Sequence, residues 1–171
     1  MDFTPNPGTG MSDAMHAARA ETRRIMAEHK GDLVAEQKAV LARLTTAQLI
    51  TDAEAKTLLA LYKIGFEAGE PKGNAQRAYF DSRDIYSKLA TSGTASPVAL
   101  VVASAAVGSF ELTEDPQGQP TIVVYKRSYG QSGAAIGAGI GAILGGPAGA
   151  ILGGEIGGLI GGIVDDKKDK K

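Results

Sequence analysis

Apolar residues recur at helical spacing through most of the first half of the chain. Asp13 is expected to cap a first helix that runs to about Lys30 and stops at Gly31, because aspartate favours N-caps and glycine favours helix ends. Asp32 is then expected to cap a second helix that continues to Leu44. One face of this second helix carries Leu33, Val34, Gln37, Val40, Leu41 and Leu44.

Two further helices are predicted by their caps and by their apolar stripes. Thr51 followed by Glu54 matches a capping box, and the helix that it opens is expected to end at Gly69. Asn74 is expected to cap the next helix, which ends near Gly93. Both stripes are more typical of a core than of a ligand pocket: Leu58, Leu59, Tyr62 and Phe66 in the first, and Tyr79, Ile85, Tyr86 and Leu89 in the second.

The next segment is ambiguous between helix and strand. In residues 97–107 the valines favour a strand, whereas Ser96 and Pro97 are typical of a helix start, and we favour the helix. Ser109–Thr113 and Thr121–Lys126 alternate like two strands, and an Asp-Pro-Gln-Gly turn joins them into a β-hairpin. The sequence therefore predicts a small, mainly α domain with a short β-hairpin.

A four-residue repeat dominates the end of the chain. From residue 133 to residue 164 the sequence divides into GAAI, GAGI, GAIL, GGPA, GAIL, GGEI, GGLI and GGIV. The first positions form the main lane: Gly133, Gly137, Gly141, Gly145, Gly149, Gly153, Gly157 and Gly161. The second positions form a second lane that also consists entirely of small residues: Ala134, Ala138, Ala142, Gly146, Ala150, Gly154, Gly158 and Gly162.

This repeat is typical of a glycine zipper. Each glycine costs a water-soluble helix about 0.5–1 kcal/mol relative to alanine, so eight in register need a compensating interaction. A glycine lane lets two helix backbones approach closely, which stabilises helix pairs in lipid, where hydrophobic burial gives no driving force. The zipper therefore predicts helices that pack against each other in a membrane.

A helical hairpin is the expected geometry of the zipper. A single helix over residues 133–164 would span about 48 Å, whereas the hydrocarbon core of a bilayer is about 30 Å thick. Pro147 is expected to break it into a first arm, residues 133–146, and a second arm, residues 148–164. These arms would be about 21 and 26 Å long, so insertion requires a short flanking extension or a thinned bilayer.

Four regions follow from these patterns. The expected division is a flexible leader at 1–11, a mostly helical soluble domain at 12–128, the membrane-inserting zipper at 129–164 and a charged tail at 165–171.

Glu155 is the candidate residue for ion selectivity. It is the only ionisable residue between residues 133 and 164, and a carboxylate within a membrane segment usually faces a partner or a water-filled path. In an oligomeric pore, copies of Glu155 would form a ring that attracts cations. Alternatively, Glu155 faces solvent in a hairpin that lies on the membrane surface. The sequence leaves both possibilities open.

Composition excludes several other functions. A net charge of -1 argues against a nucleic-acid partner, and the chain contains no cysteine. His16 and His29 lie among Ala, Arg and Glu without a converging ligand set, so neither a metal nor a cofactor is expected. The polar first thirty residues do not resemble a signal peptide.

The start of the zipper also has the glycine spacing of an enzyme motif. Gly133, Gly137 and Gly139 follow a predicted strand with the spacing of a dinucleotide-binding turn. That fold needs several more βα units after the turn, whereas here only the zipper follows. An enzyme is therefore not expected.

The zipper, the length and the polar first residues together resemble the small glycine-zipper pore-forming effectors of the bacterial type VI secretion system. The resemblance implies carriage inside an Hcp-type tube protein and action at the inner membrane of a target cell. It also implies a membrane-embedded immunity protein as a partner and homo-oligomers in the membrane. Two alternatives remain, which are a structural membrane or phage-ejection protein and, less favoured, an enzyme.

Overall fold

A computed structural model describes residues 10–124 and seven positions within the zipper, which are 135, 137–139, 141, 143 and 154. In this part of the chain the fold is mainly α with one antiparallel β-hairpin, which confirms the predicted class. The elements in chain order are α1 (Gly10–Glu28), α2 (Leu33–Thr46), α3 (Asp52–Ala68), α4 (Ala75–Thr91), α5 (Pro97–Val107), β1 (Phe110–Glu114) and β2 (Pro120–Val124).

Side-chain caps start four of the helices where the sequence predicts them. The Asp32 carboxylate accepts a hydrogen bond from Ala35 N at 3.0 Å and so opens α2. The Asn74 side chain accepts one from Arg77 N at 2.9 Å and opens α4. The capping box of α3 and the Ser96 cap of α5 are also present. Each cap satisfies an N–H group that has no partner within its own helix.

Helix α1 departs from its prediction at its beginning. It includes Gly10, so Asp13 lies inside the first turns and its predicted role as the N-cap is wrong. Aspartate is also favourable inside the first turns, because the positive end of the helix dipole attracts its charge. The sequence alone does not distinguish such an aspartate from an N-cap. The predicted end is confirmed within a few residues, since Gly31 adopts φ +83° just after the helix.

The ambiguous segment 97–107 is the helix α5. Pro97 occupies its first turn, where a missing N–H costs nothing, and the Ser96 hydroxyl accepts from Ala99 N at 3.2 Å. A helix places small and branched residues against several neighbours at once, and this packing overrides the strand preference of the valines. Its buried residues are Val98, Ala99, Val102, Ala103 and Ala106.

Helix α3 lies at the centre of the domain and packs against α2, α4 and α5. Its Tyr62 is fully buried, and the phenol donates a hydrogen bond to Val102 O at 3.0 Å. Burial raises the pKa of Tyr62 above its ordinary value, so the phenol remains a neutral donor. The hydrogen bond fixes the register of α5 on α3, because the donor and the acceptor belong to different helices.

The β-hairpin packs against α4 through aromatic contacts. Phe110, which is buried at the start of β1, meets the ring of Tyr79 edge-on at 5.9 Å. Between the strands, Asp115 Oδ1 accepts from Gln117 N and Gln119 N, and Gly118 adopts φ +76°. The turn is therefore where the sequence predicts it. Each strand begins one residue from its predicted start, which is within the usual uncertainty of strand ends.

Candidate functional site

The zipper residues that the structure describes are helical. Two main-lane glycines, Gly137 and Gly141, are among them, and both are buried. The other buried positions are Ala135, Ala138, Gly139 and Gly154, whereas Ile143 is 38% exposed. The remaining predicted site residues lie outside the described part of the chain: Gly133, Gly145, Pro147, Gly149, Gly153, Glu155, Gly157 and Gly161.

Helix α2 packs against the first arm of the zipper. A Cβ added to Gly139 would overlap Val40 Cγ1 and would lie 3.7 Å from Val40 Cβ and 3.6 Å from Leu44 Cδ1. Ala135 and Ala138 belong to the same hydrophobic cluster as these two α2 residues, and each is at most 1% exposed. The first arm therefore contributes directly to the core of the domain.

Sequence reasoning missed Gly139, although one signal identifies it. Gly139 belongs to neither the main lane nor the second lane. It occupies the third position of its group of four, and the third positions elsewhere carry Ala135, Ile143, Pro147, Ile151, Glu155, Leu159 and Ile163. Gly139 is the only glycine in this third lane. Its contact with Val40 supplies the reason, because a side chain at residue 139 would overlap Val40 Cγ1.

An ion-pair cluster connects α1 to α2. The Glu21 carboxylate of α1 pairs with Arg24 on its own helix and with Arg43 on α2. Hydrogen bonds from Arg24 oppose the effect of partial burial and, together with Arg43, lower the pKa of Glu21 to about 2. Such partly exposed pairs are screened by solvent and contribute little to stability, and only the pair with Arg43 joins the two helices.

Glu54 connects the start of α3 to the start of α5. Its Oε1 accepts from Ser96 N at 2.6 Å, while its Oε2 accepts from Thr51 N at 2.7 Å. Burial opposes the charge of Glu54, but the N–H groups of Ser96 and Thr51 outweigh it and hold the pKa below its ordinary value. A single carboxylate thus completes the capping box and ties together two helices.

A cavity of about 530 Å³ lies beside Glu54, between α3 and the end of α4. Its volume is within the range of small-molecule sites. Both charged groups of its lining already have partners in the chain, since Glu54 binds backbone N–H groups and Lys88 pairs with Asp84 at 2.6 Å. The cavity therefore presents no uncommitted charge for a ligand.

The described residues contain no group of three or more His, Asp or Glu side chains arranged to hold a metal ion. None of their helices combines the length and the apolar character needed to cross a bilayer.

Known protein-family models, curated proteins and solved structures give no match to this chain. The resemblance to type VI effectors therefore rests on the zipper and on the other sequence features that accompany it.

Proposed function

We propose that the chain is a secreted antibacterial toxin that inserts residues 129–164 into the inner membrane of a target cell and forms an ion-conducting pore. The observation that carries this proposal is the unbroken register of the main lane, from Gly133 to Gly161. Such a lane favours close helix pairs in lipid, and several copies of the hairpin would then enclose a conducting path that dissipates the membrane potential.

The contact with α2 does not explain the glycines of the main lane. Val40 approaches Gly139, which lies outside the lane, so this contact accounts for one glycine and not for the eight at first positions. Each of those eight reduces helix stability by about 0.5–1 kcal/mol relative to alanine. Pairing between copies in a membrane supplies the compensation that the lane requires.

Delivery and partners are proposed from the resemblance. They comprise export without a signal peptide inside an Hcp-type tube protein, homo-oligomers in the target membrane and neutralisation by a membrane-embedded immunity protein. The cation preference of the pore is assigned to Glu155, as a ring of carboxylates contributed by several copies. No nucleic acid, cofactor or catalytic residue is part of this proposal.

The decisive experiment is conductance in a planar bilayer exposed to the purified full-length protein. Discrete current steps are expected, since each assembled oligomer opens one path. Protein that binds the bilayer without passing current would contradict the pore and would favour the alternative, a structural membrane or phage-ejection protein. Protein that stays in solution would argue against both.

Glu155→Gln is expected to reduce the preference of the pore for cations over anions while assembly continues. The substitution keeps the shape of the side chain and removes the charge that concentrates cations at a constriction. Insertion is expected to become easier, because a charged residue opposes it by about 3 kcal/mol. The measurement is the reversal potential across a bilayer with a salt gradient.

Asp165→Asn is the matched control for this substitution. It removes one acidic charge just beyond the second arm, and its reversal potential is expected to equal that of the wild type. If Glu155→Gln also leaves the reversal potential unchanged, Glu155 lies outside the conduction path, as in the surface-lying hairpin.

A further inference from the structure

The first arm of the zipper occupies two environments if the proposed function is correct, one in the soluble protein and one in the membrane. In the soluble structure, Ala135 and Ala138 are core residues beside α2, and the main-lane residues Gly137 and Gly141 are buried. In the membrane, the main lane has to face another helix backbone. While Gly137 and Gly141 are buried in this way, they cannot pack against a second copy of the chain.

Gly139 indicates that the contact between the first arm and α2 is specific. The zipper does not require a glycine in the third lane, where larger residues occur at other positions. At residue 139, however, any side chain would overlap Val40 of α2, which is itself only 2% exposed and packed in the core. A glycine at this place suits contact with α2, and it adds nothing to the main lane.

We infer that α2 is an intramolecular cover for the zipper, and that the first arm must separate from Val40 and Leu44 before it pairs in a membrane. This inference rests on the proposed function, since it concerns the control of the same segment. The described buried residues of the arm are alanine and glycine, which bury little apolar area. At residue 139 the contact is a close approach of the Val40 side chain to the backbone of the arm, and it is reversible when lipid offers the arm another partner.

A disulfide between residues 40 and 139 tests the cover directly. The distance of 3.7 Å between Val40 Cβ and a Cβ at residue 139 agrees with the separation of about 3.5–4.5 Å found in disulfides. The natural chain has no cysteine, so in the Val40→Cys/Gly139→Cys variant these are the only thiols that oxidation can join. A non-reducing gel separates the intramolecular bond from a bond between two chains.

The readouts are flotation with vesicles of phosphatidylethanolamine and phosphatidylglycerol, and planar-bilayer conductance. The oxidised double variant is expected to lose vesicle binding and conductance, and a reductant is expected to restore both. The single variants Val40→Cys and Gly139→Cys, given the same oxidant and kept monomeric, are expected to respond to the reductant no more than the wild type does.

The possible failures are distinguishable. If the oxidised variant binds vesicles as well as the reduced one, or if no intramolecular disulfide forms, the cover is overturned. If the wild type binds vesicles without conducting, the pore fails, and flotation of the oxidised variant still decides the cover. Absence of any vesicle binding by the wild type would overturn both proposals.

A second set of variants tests the cover without a covalent bond. Gly139→Ala is expected to push the first arm away from α2 and to increase vesicle binding, while both small lanes stay intact. In Val40→Ala/Gly139→Ala, two Cβ atoms at about 3.7 Å make an ordinary contact, so binding should fall back towards the wild-type level. Val40→Ala completes the cycle. Equal increases in Gly139→Ala and in the double variant would attribute the effect to helix propensity and overturn the inference.

Discussion

Replacing Gly157 with valine is expected to abolish conductance across a planar bilayer while membrane binding is kept or strengthened. Gly157 belongs to the main lane in the second arm, where a branched side chain would hold two helix backbones apart. Valine is more hydrophobic than glycine, so simple partitioning into lipid should rise slightly. The two measurements are current steps and flotation with vesicles, and Gly153→Val should behave in the same way.

Leu159→Val is the matched control for the lane. It introduces the same residue in the same arm, but at a third-lane position that already carries a branched side chain. Conductance close to that of the wild type is expected. Should Gly157→Val conduct as well as Leu159→Val, the hairpin acts through its overall hydrophobicity and the register of the glycines has no role in the pore.

Features that depend on a few neighbouring residues could be predicted from the sequence. Asp32, Thr51, Asn74 and Ser96 cap their helices as expected, because each cap bonds to an N–H group within the next three residues. The turn between the strands was predicted for the same reason. Asp13 shows the limit of this reasoning, since an acidic residue stabilises both a cap and the first turns of a helix.

Contacts between distant parts of the chain could not be predicted in this way. The approach of Gly139 to Val40 and the hydrogen bond from Ser96 N to Glu54 depend on how the helices pack. Periodicity identifies an apolar face and does not identify the element that covers it. Glu36 is a further example: it is fully buried in α2 with an interaction partner, whereas a glutamate is expected at the surface.

The sequence shows the zipper only as a four-residue repeat of small residues. Its register is complete in the sequence, but a repeat of small residues does not identify the element that packs against each lane. The structure adds the contact with α2 at Gly139 in the third lane. The main lane and the third lane can therefore be mutated separately. Substitutions in the main lane test the pore, and substitutions in the third lane test its cover by α2.

Glu54→Gln is expected to lower the free energy of unfolding by about 1–3 kcal/mol at neutral pH, because it leaves a backbone donor without an acceptor. In the wild type, one carboxylate oxygen accepts from Ser96 N and the other from Thr51 N. A glutamine has a single acceptor oxygen, so its NH₂ group must face one of these two donors. The measurement is urea-induced unfolding, in which the midpoint should fall without a change in slope.

The same substitution is expected to change the pH dependence of stability. The pKa of Glu54 in the folded protein lies below its ordinary value, whereas an unfolded glutamate has a pKa of about 4.3. The stabilisation by the carboxylate is therefore present above that pH and is lost as the pH falls through the lower, folded pKa. The difference in the free energy of unfolding between wild type and Glu54→Gln should narrow on acidification.

Asp52→Asn removes the same charge from an exposed position in the same turn, so it should lower the free energy of unfolding much less at neutral pH. A cost for Asp52→Asn equal to that of Glu54→Gln would reduce the role of Glu54 to its charge at the start of α3, with no specific tie to α5.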